Sequence, residues 1–170
     1  MRKALHLIAT FFNVGYSKVA PGTVGTIAAI PLAWALLAWG PIYGMICTVL
    51  LVPLSIVAAQ VYETDFADGG HDSSAIVIDE VVGFLVTMTW MPLTWQAFAV
   101  GFILFRLLDI LKPFPISYLD RKVPGGVGVV IDDLVAGLIA NVILQILLTK
   151  TSWLGTQMIQ VGGDCIFSCG

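Results

Sequence analysis

Charged side chains are scarce in this chain of 170 residues. Asp, Glu, Lys and Arg make up 11% of it, against roughly 25% in soluble domains. Hydrophobic residues make up 58%, and the mean hydropathy is +0.95. This composition excludes an ordinary soluble domain and predicts an integral membrane protein. No basic stripe and no low-complexity segment is present, so nucleic acid is not an expected partner.

Cysteine and histidine are also rare, with three and two copies. No CxxC motif or cysteine–histidine cluster indicates a zinc site, and no serine–histidine pair indicates a nucleophilic hydrolase. Cys47 lies in an apolar run and is interpreted as a small core residue. Cys165 and Cys169 either form a disulfide in an extracytoplasmic tail or lie four residues apart by chance.

Long apolar runs dominate the rest of the chain, and a membrane helix needs about 20 such residues. Five runs are candidate crossings, at residues 24–39, 42–61, 76–90, 93–111 and 134–148. Residues 4–16 do not fit a signal peptide and are predicted to form a retained interfacial or re-entrant helix. We therefore expect an all-α, polytopic membrane helix bundle with about four to five crossings. Residues 1–149 would form its single domain, and residues 150–170 a tail of unknown role.

The connections between these runs are of two kinds. Two are short, uncharged and rich in Trp and Pro, at residues 39–42 and 90–95, which is typical of turns at a membrane interface. The other three are long and polar, at residues 13–23, 62–75 and 112–131. In an alternating topology these three share one face with most of the Lys and Arg side chains. The positive-inside tendency predicts that this face is cytoplasmic.

Carboxylates interrupt the apolar runs near this face. Asp79 and Glu80 lie at the start of the third run, Asp109 near the end of the fourth, and Asp132 and Asp133 at the entrance of the fifth. Clustered anions repel one another, and Mg²⁺ prefers carboxylate oxygens, so the set predicts a magnesium site. For Asp132 and Asp133 a simple interaction with the helix dipole stays open. That interaction does not account for Asp109, because acids are disfavoured at a helix C-terminus.

Arg106, Asp109 and Lys112 are spaced i, i+3 and i+6, which places them on one helical face. Pro113 predicts that this helix ends near Lys112. The three side chains form either a salt-bridged stripe or, beside a carboxylate–metal cluster, a clamp for a phosphate group.

Two glycine-bearing segments precede apolar runs, and they read APGTVGT and PGGVGVVIDD. In the first, Thr23 or Thr26 is a possible N-cap. In the second, Gly125 and Gly126 either offer backbone N–H groups to an anion or simply permit a turn. Neither segment matches a Walker A or GxGxxG pattern.

From the residues alone, the available side chains fit hydrolysis of a phosphate ester by a water molecule that a metal ion activates. A divalent-cation transporter or channel that uses the same carboxylates stays open as the alternative, and a structural membrane subunit is a third class. His71 is either a base or outer-shell partner of the cluster, or a solvated loop residue.

Three stretches, taken in order, resemble the phosphatidylglycerophosphatase A family of bacterial membrane lipid phosphatases. They are APGTVGTIAAIP at residues 20–31, HDSSAIVIDEVVG at 71–83, and FRLLDILKPFPISYLDRKVPGGVGVVIDDLVAG at 105–137. Together with the apolar runs between them, the resemblance covers residues 10–148.

The resemblance implies a magnesium-dependent phosphoric monoester hydrolase in the bacterial cytoplasmic (inner) membrane. Its substrate would be phosphatidylglycerophosphate, and its products phosphatidylglycerol and inorganic phosphate. The family's acidic motif positions fall on Asp79, Glu80, Asp109, Asp132 and Asp133. Its basic motif positions fall on Arg106, Lys112 and Arg121.

The roles of these residues are our own assignment. We expect Glu80 and Asp132 to be the first metal ligands, with Asp79 and Asp133 close behind. Asp109 would be a further ligand or the base that takes a proton from the attacking water. The phosphate would be held by the remaining set, which is Arg106, Lys112, Arg121, Thr23, Gly125 and Gly126.

Overall fold

The chain folds into a bundle of α-helices. The computed structural model describes residues 2–66, 75–155, 160–161 and 164–165, with residues 120, 121, 160–161 and 164–165 described in backbone only. The helices of these ranges are α1 (Arg2–Ala9), α2 (Pro21–Trp39), α3 (Pro41–Phe66), α4 (Ile78–Met88), α5 (Trp95–Leu111), α6 (Ile116–Lys122) and α7 (Gly125–Lys150). A 3₁₀ turn spans Val14–Tyr16, and two short antiparallel strands, β1 (Gln160–Val161) and β2 (Asp164–Cys165), follow α7.

The prediction of an all-α membrane bundle is confirmed, but its count of four to five crossings is not. Three described helices are long and apolar enough to cross a membrane, and these are α2, α3 and α7. The run at residues 76–90 becomes α4, whose 11 residues extend only about 16 Å at 1.5 Å per residue. The run at residues 93–111 becomes α5, with 17 residues.

Helix α4 is buried at the centre of the bundle, where it packs against α2, α3, α5 and α7. It approaches α7 most closely. The two helices leave no room for a side chain at Gly137, where a Cβ atom would collide with the carbonyl oxygen of Gly83. Asn141 Nδ2 donates hydrogen bonds to the carbonyl oxygens of Thr87 and Thr89, at 2.9 and 2.7 Å, at the end of α4. Residue 83 contacts residue 137, and residue 87 contacts residue 141, so both contacts join residues 54 positions apart in the sequence. Residue numbers therefore increase in the same direction along both helices, and α4 and α7 run parallel.

Helix α7 begins nine residues before the run that predicted it. The amide of Gly126 donates to Gln60 Oε1 of α3 at 2.9 Å, and a Cβ atom on Gly126 would strike the α3 backbone. This close contact stabilises helix in a glycine-rich segment that has low helix propensity. Asp132 and Asp133 therefore lie two turns inside α7, and its first turn holds no acidic residue. The helix-dipole interpretation of this pair is wrong.

The ends of α2 and α5 test two local predictions. The N-cap of α2 is Ala20, in the left-handed conformation and without a side-chain cap, so the prediction of Thr23 or Thr26 as N-cap is wrong. The hydroxyl of Thr26 donates instead to the carbonyl of Gly22, at 2.8 Å. Helix α5 ends at Leu111 with Lys112 as its C-cap, which confirms the end predicted from Pro113.

Helix α1 begins two residues before the predicted N-terminal helix at 4–16 and ends at Ala9, so residues 10–16 form turns instead of helix α1. It packs on α3, where Asp65 accepts from Arg2 at 2.8 Å and lies 2.9 Å from His6 Nε2. These contacts tie the N-terminal helix to the end of α3.

Aromatic residues gather at the end of the bundle where α2 and α4 finish. The rings of Trp95 and Trp153 lie 6.3 Å apart, and Trp39 stacks on Tyr43 at 5.8 Å. The hydroxyl of Thr94 donates to the carbonyl of Leu154 at 2.5 Å, so the beginning of the predicted tail packs on the turn between α4 and α5. Cys169, with the side chain of Cys165, lies outside what the structure describes, and their pairing stays open. We call this end of the molecule the tryptophan end.

We expect Gly137→Val to destabilise the protein by about 1–3 kcal/mol, because added side-chain atoms force α4 and α7 apart. The measurement is reversible unfolding in detergent, followed by circular dichroism. Leu138→Val is the matched control, since Leu138 is 57% exposed on the same helix, and it should change stability by less than about 0.5 kcal/mol. Equal effects of the two changes would contradict the close α4–α7 contact.

Candidate active site

Three carboxylates from two parallel helices converge opposite the tryptophan end. Asp79 and Glu80 lie in the first turn of α4, and Asp133 lies in α7 at the same depth. One oxygen from each side chain lies within 4.8 Å of the others. Asp133 is 4% exposed, and the other two are half-buried. Anions this close need a cation or protons among them.

Helix α5 brings a cation and a fourth carboxylate to this group. Arg106 Nη1 donates to Asp109 Oδ2 at 2.5 Å, and both side chains are at most 15% exposed. Asp109 in turn interacts electrostatically with Glu80 and Asp133. The i, i+3 stripe predicted from the sequence is thus an ion pair, and it faces the carboxylate group.

The fifth carboxylate, Asp132, is held by Lys112. Lys112 Nζ donates to Asp132 Oδ2 at 2.6 Å, and Asp132 is 5% exposed while the lysine side chain is 32% exposed. Asp132 also interacts electrostatically with Asp133. The lysine therefore lies at the rim, where its ammonium group reaches both the buried carboxylate and the surface.

The N-terminus of α2 completes the wall of the site. Thr23 Oγ1 accepts a hydrogen bond from Arg106 Nη2 at 3.3 Å. A Cβ atom on Gly22 would collide with the carboxylate of Glu80 and would lie 3.2 Å from Arg106 Nη1. Gly22 is a site position that the sequence assignment missed, although it lies in the APGTVGT segment that the sequence singled out. Its lack of a side chain lets the helix N-terminus approach Glu80.

Several buried polar atoms of the site have no protein hydrogen-bond partner in the described part of the chain. They include two acceptors, Asp79 Oδ1 and Glu80 Oε2, and one donor, Arg106 Nε. Buried polar atoms are rarely left unpaired. The unpaired acceptors can bind a cation, and the unpaired donor can bind an anion. Their presence in one site therefore fits a cation and an anion that bind together. The carboxylate group therefore fits a hard divalent cation, which takes oxygen ligands.

The remaining predicted site residues are not brought to this cluster by any described contact. Gly126 uses its amide on Gln60, and a Cβ atom on Gly125 would strike the same glutamine, so both lie in the contact between α3 and α7. Arg121 belongs to α6, but its side chain lies outside the described residues, as does all of His71. Their roles stay predictions.

The phosphatidylglycerophosphatase A family matches this chain over residues 7–148. This stretch contains every carboxylate and cation of the site described above. The chain belongs to the phosphatidylglycerophosphatase A family. The predicted family is therefore confirmed.

Two relatives carry the name of this family, and a third is named for a different lipid phosphatase activity. Phosphatidylglycerophosphatase A of Escherichia coli K12 is 41% identical over 145 residues, which cover 85% of this chain and 83% of the relative. The protein of the same name from Haemophilus influenzae is 39% identical over 142 residues, covering 82% and 86%. A third relative, from Bacteroides thetaiotaomicron, is 30% identical over 145 residues, covering 82% and 91%, and its name provisionally assigns a phosphatidylinositol-3-phosphatase activity. No solved structure matches the chain.

We expect Glu80→Gln to weaken binding of a divalent cation by at least about tenfold, or roughly 1.4 kcal/mol, because one anionic ligand is lost. The measurement is Mn²⁺ binding to the purified protein, followed by electron paramagnetic resonance. Glu63→Gln is the matched control, because Glu63 lies on α3 and outside the carboxylate group. The assignment of Glu80 as a ligand would be overturned if both variants bound Mn²⁺ like the wild type.

Proposed function

We propose that this protein is a magnesium-dependent lipid phosphatase of the bacterial inner membrane. It hydrolyses phosphatidylglycerophosphate to phosphatidylglycerol and inorganic phosphate at the cytoplasmic surface. The observation that carries the proposal is the set of unpaired buried atoms, in which the acceptors of Asp79 and Glu80 accompany the donor of Arg106. A metal ion and a phosphate group would supply the missing partners together.

The metal would be held by Asp79, Glu80 and Asp133, whose oxygens already lie together. When bound, Mg²⁺ would neutralise negative charge on the phosphate and activate a water molecule for attack on phosphorus. The sequence also assigns Asp132 and Asp109 as ligands. Their ion pairs with Lys112 and Arg106 support another role, in which each carboxylate orients a cation beside the metal site.

The basic residues act on the phosphate group directly. Arg106 is anchored by Asp109 and Thr23, which leaves its buried Nε–H for a phosphate oxygen. Lys112 reaches the same region from the rim. Both cations stabilise negative charge as it builds on the phosphoryl group and the leaving oxygen. We assign to Asp109, which interacts with Glu80 and Asp133, the second role of taking the proton of the attacking water.

Phosphate release from lipid substrates tests this function. Purified protein in detergent is assayed with phosphatidylglycerophosphate, phosphatidylinositol 3-phosphate and phosphatidate, with and without Mg²⁺. We expect phosphatidylglycerophosphate to be the best substrate and a chelator to abolish its turnover. Preference for the inositol lipid would replace the proposed substrate by the one in the name of the Bacteroides relative.

We expect Lys112→Met to lower kcat/KM for phosphatidylglycerophosphate by roughly thirtyfold to a thousandfold, since a lost charge-stabilising donor costs about 2–4 kcal/mol in the transition state. Mn²⁺ binding should survive, because an ammonium group is not a ligand. Lys150→Met is the control, since Lys150 is the last residue of α7 and lies toward the tryptophan end. Unchanged turnover in Lys112→Met would remove this lysine from the phosphate clamp.

The same preparation distinguishes an enzyme from a divalent-cation transporter or channel. In sealed vesicles, a transporter would move Mn²⁺ across the membrane, and Lys112→Met would leave its cation affinity equal or tighter. A phosphatase predicts phosphate release and no flux. Flux without phosphate release would overturn the proposed function.

The proposed orientation predicts opposite labelling of two introduced cysteines, in a chain whose native cysteines are replaced by serine. Thr64→Cys lies near the end of α3 on the site side and should react with a membrane-impermeant maleimide only from the cytoplasm. Ile42→Cys lies at the start of α3, in the connection predicted at 39–42, where Ile42 is 55% exposed, and it should react only from outside. Reversed labelling in intact cells would place the site in the other compartment.

A further inference from the structure

An apolar groove runs along the outside of the bundle between α2 and α5. These helices make few contacts with each other, because α4 lies between them and packs against both. The groove has a volume of about 450 Å³ and is lined by apolar side chains alone, among them Ile27, Ile30 and Trp34 of α2 and Phe98, Phe102 and Ile103 of α5. Its inner side rests on α4, since the ring of Phe84 contacts those of Phe98 and Phe102.

One end of this groove meets the active site. Ile27 lies one helical turn after Thr23, and Ile103 lies about one turn before Arg106, so each pair shares a helix face. Thr23 and Arg106 are themselves joined by a hydrogen bond of 3.3 Å. The polar pair therefore bridges α2 and α5 at the point where the apolar lining stops. At the other end, Trp34 packs on Phe98 with ring centres 5.2 Å apart.

We propose that the groove between α2 and α5 binds an acyl chain of the lipid whose phosphate is held by Arg106 and Thr23. This inference rests on the proposed function and deepens it. A lipid phosphate is an anionic group joined to hydrocarbon chains. The protein offers a cation for the anionic group and, directly beside it, an apolar groove for a hydrocarbon chain. The distance from Thr23 to Trp34 along α2 is about 16 Å at 1.5 Å per residue. The groove is therefore long enough to hold an acyl chain from the phosphate site well into the membrane.

The volume of the groove suits a single hydrocarbon chain. With about 30 Å³ for a water-sized group, the groove holds roughly 15 such groups, which is the scale of one acyl chain. The groove is open along its side, since Ile27 and Ile103 are 51% and 54% exposed. A lipid can therefore enter from the bilayer without leaving it.

Ala99→Trp tests the groove by filling it. Ala99 is an exposed lining residue of α5, so the larger ring occupies open space and should not disturb the core. Ala35→Trp is the matched control, because Ala35 is exposed on α2 and does not line the groove. Thermal unfolding and Mn²⁺ binding of both variants establish that they are folded.

The first measurement is kcat/KM for soluble short-chain phosphatidylglycerophosphates below their micelle concentration, together with the deacylated head group. For wild type, we expect kcat/KM to rise with chain length, by up to about fourfold for each methylene that is buried. Ala99→Trp should flatten this rise and lower turnover of the longest soluble chain at least about tenfold. Its turnover of the deacylated head group should stay within about twofold of wild type, as should every value for Ala35→Trp.

The second measurement does not depend on hydrolysis. A phosphatidate with a photoreactive diazirine in one acyl chain is crosslinked to the protein in vesicles, and the labelled peptides are identified by mass spectrometry. We expect labelling of α2 and α5 that Ala99→Trp removes and Ala35→Trp retains. If wild type releases no phosphate from any substrate, the proposed function fails, while this labelling still supports the groove as a site for lipid phosphates.

Two outcomes would overturn the groove proposal while the phosphatase function stands. One is an active wild type whose chain-length dependence is the same in Ala99→Trp, with crosslinks spread over the outer faces of all helices. The other is a dimer in detergent that Ala99→Trp dissociates without changing chain-length dependence, which would make the occupant a second copy of the chain.

Discussion

The burial of carboxylates in an apolar helix bundle is the constraint on which this structure depends. Asp132 and Asp133 are 5% and 4% exposed, and a buried anion is strongly unfavourable unless charge and hydrogen bonds compensate it. Helix α5 supplies that compensation from one face, with Arg106 on Asp109 and Lys112 on Asp132. Two cations do not balance five carboxylates, and the surplus on Asp79, Glu80 and Asp133 leaves a group that needs a further positive charge or protons.

The short central helix α4 sets the geometry of this surplus. Its contact with α7 through Gly83 and Gly137 holds the two helices parallel and in close register, so their acidic residues meet at one depth. Asn141 satisfies carbonyl oxygens at the other end of α4, which allows α4 to end inside the bundle without unpaired backbone groups.

The sequence predicted the family and the presence of an acidic cluster better than the bounds of the helices that carry this cluster. The apolar runs located α2 and α3 because hydrophobicity alone marks such helices, and the order of acidic and basic motifs identified the family. Asp132 and Asp133 were expected at a helix entrance, because glycine lowers helix propensity and the segment around Gly126 reads as a loop. Its contact with Gln60 on α3, which no local pattern reveals, makes that segment helical. The sequence predicted Thr23 as a possible N-cap. Its hydroxyl oxygen instead accepts a hydrogen bond from Arg106, 83 residues away.

The N-terminus of α2 joins the polar and apolar parts of the molecule. Within its first two turns the helix places Gly22 against Glu80, Thr23 on Arg106, and Ile27 in the groove. A soluble phosphate ester would engage only the first two of these residues. In the proposed complex an amphiphilic ester would engage all three, and contact with the groove would fix how deep its phosphate lies relative to the carboxylates. Because α2 and α5 carry both the groove and the pair of Thr23 and Arg106, the proposed complex would make depth in the membrane part of substrate recognition and would favour a lipid phosphate over a water-soluble one.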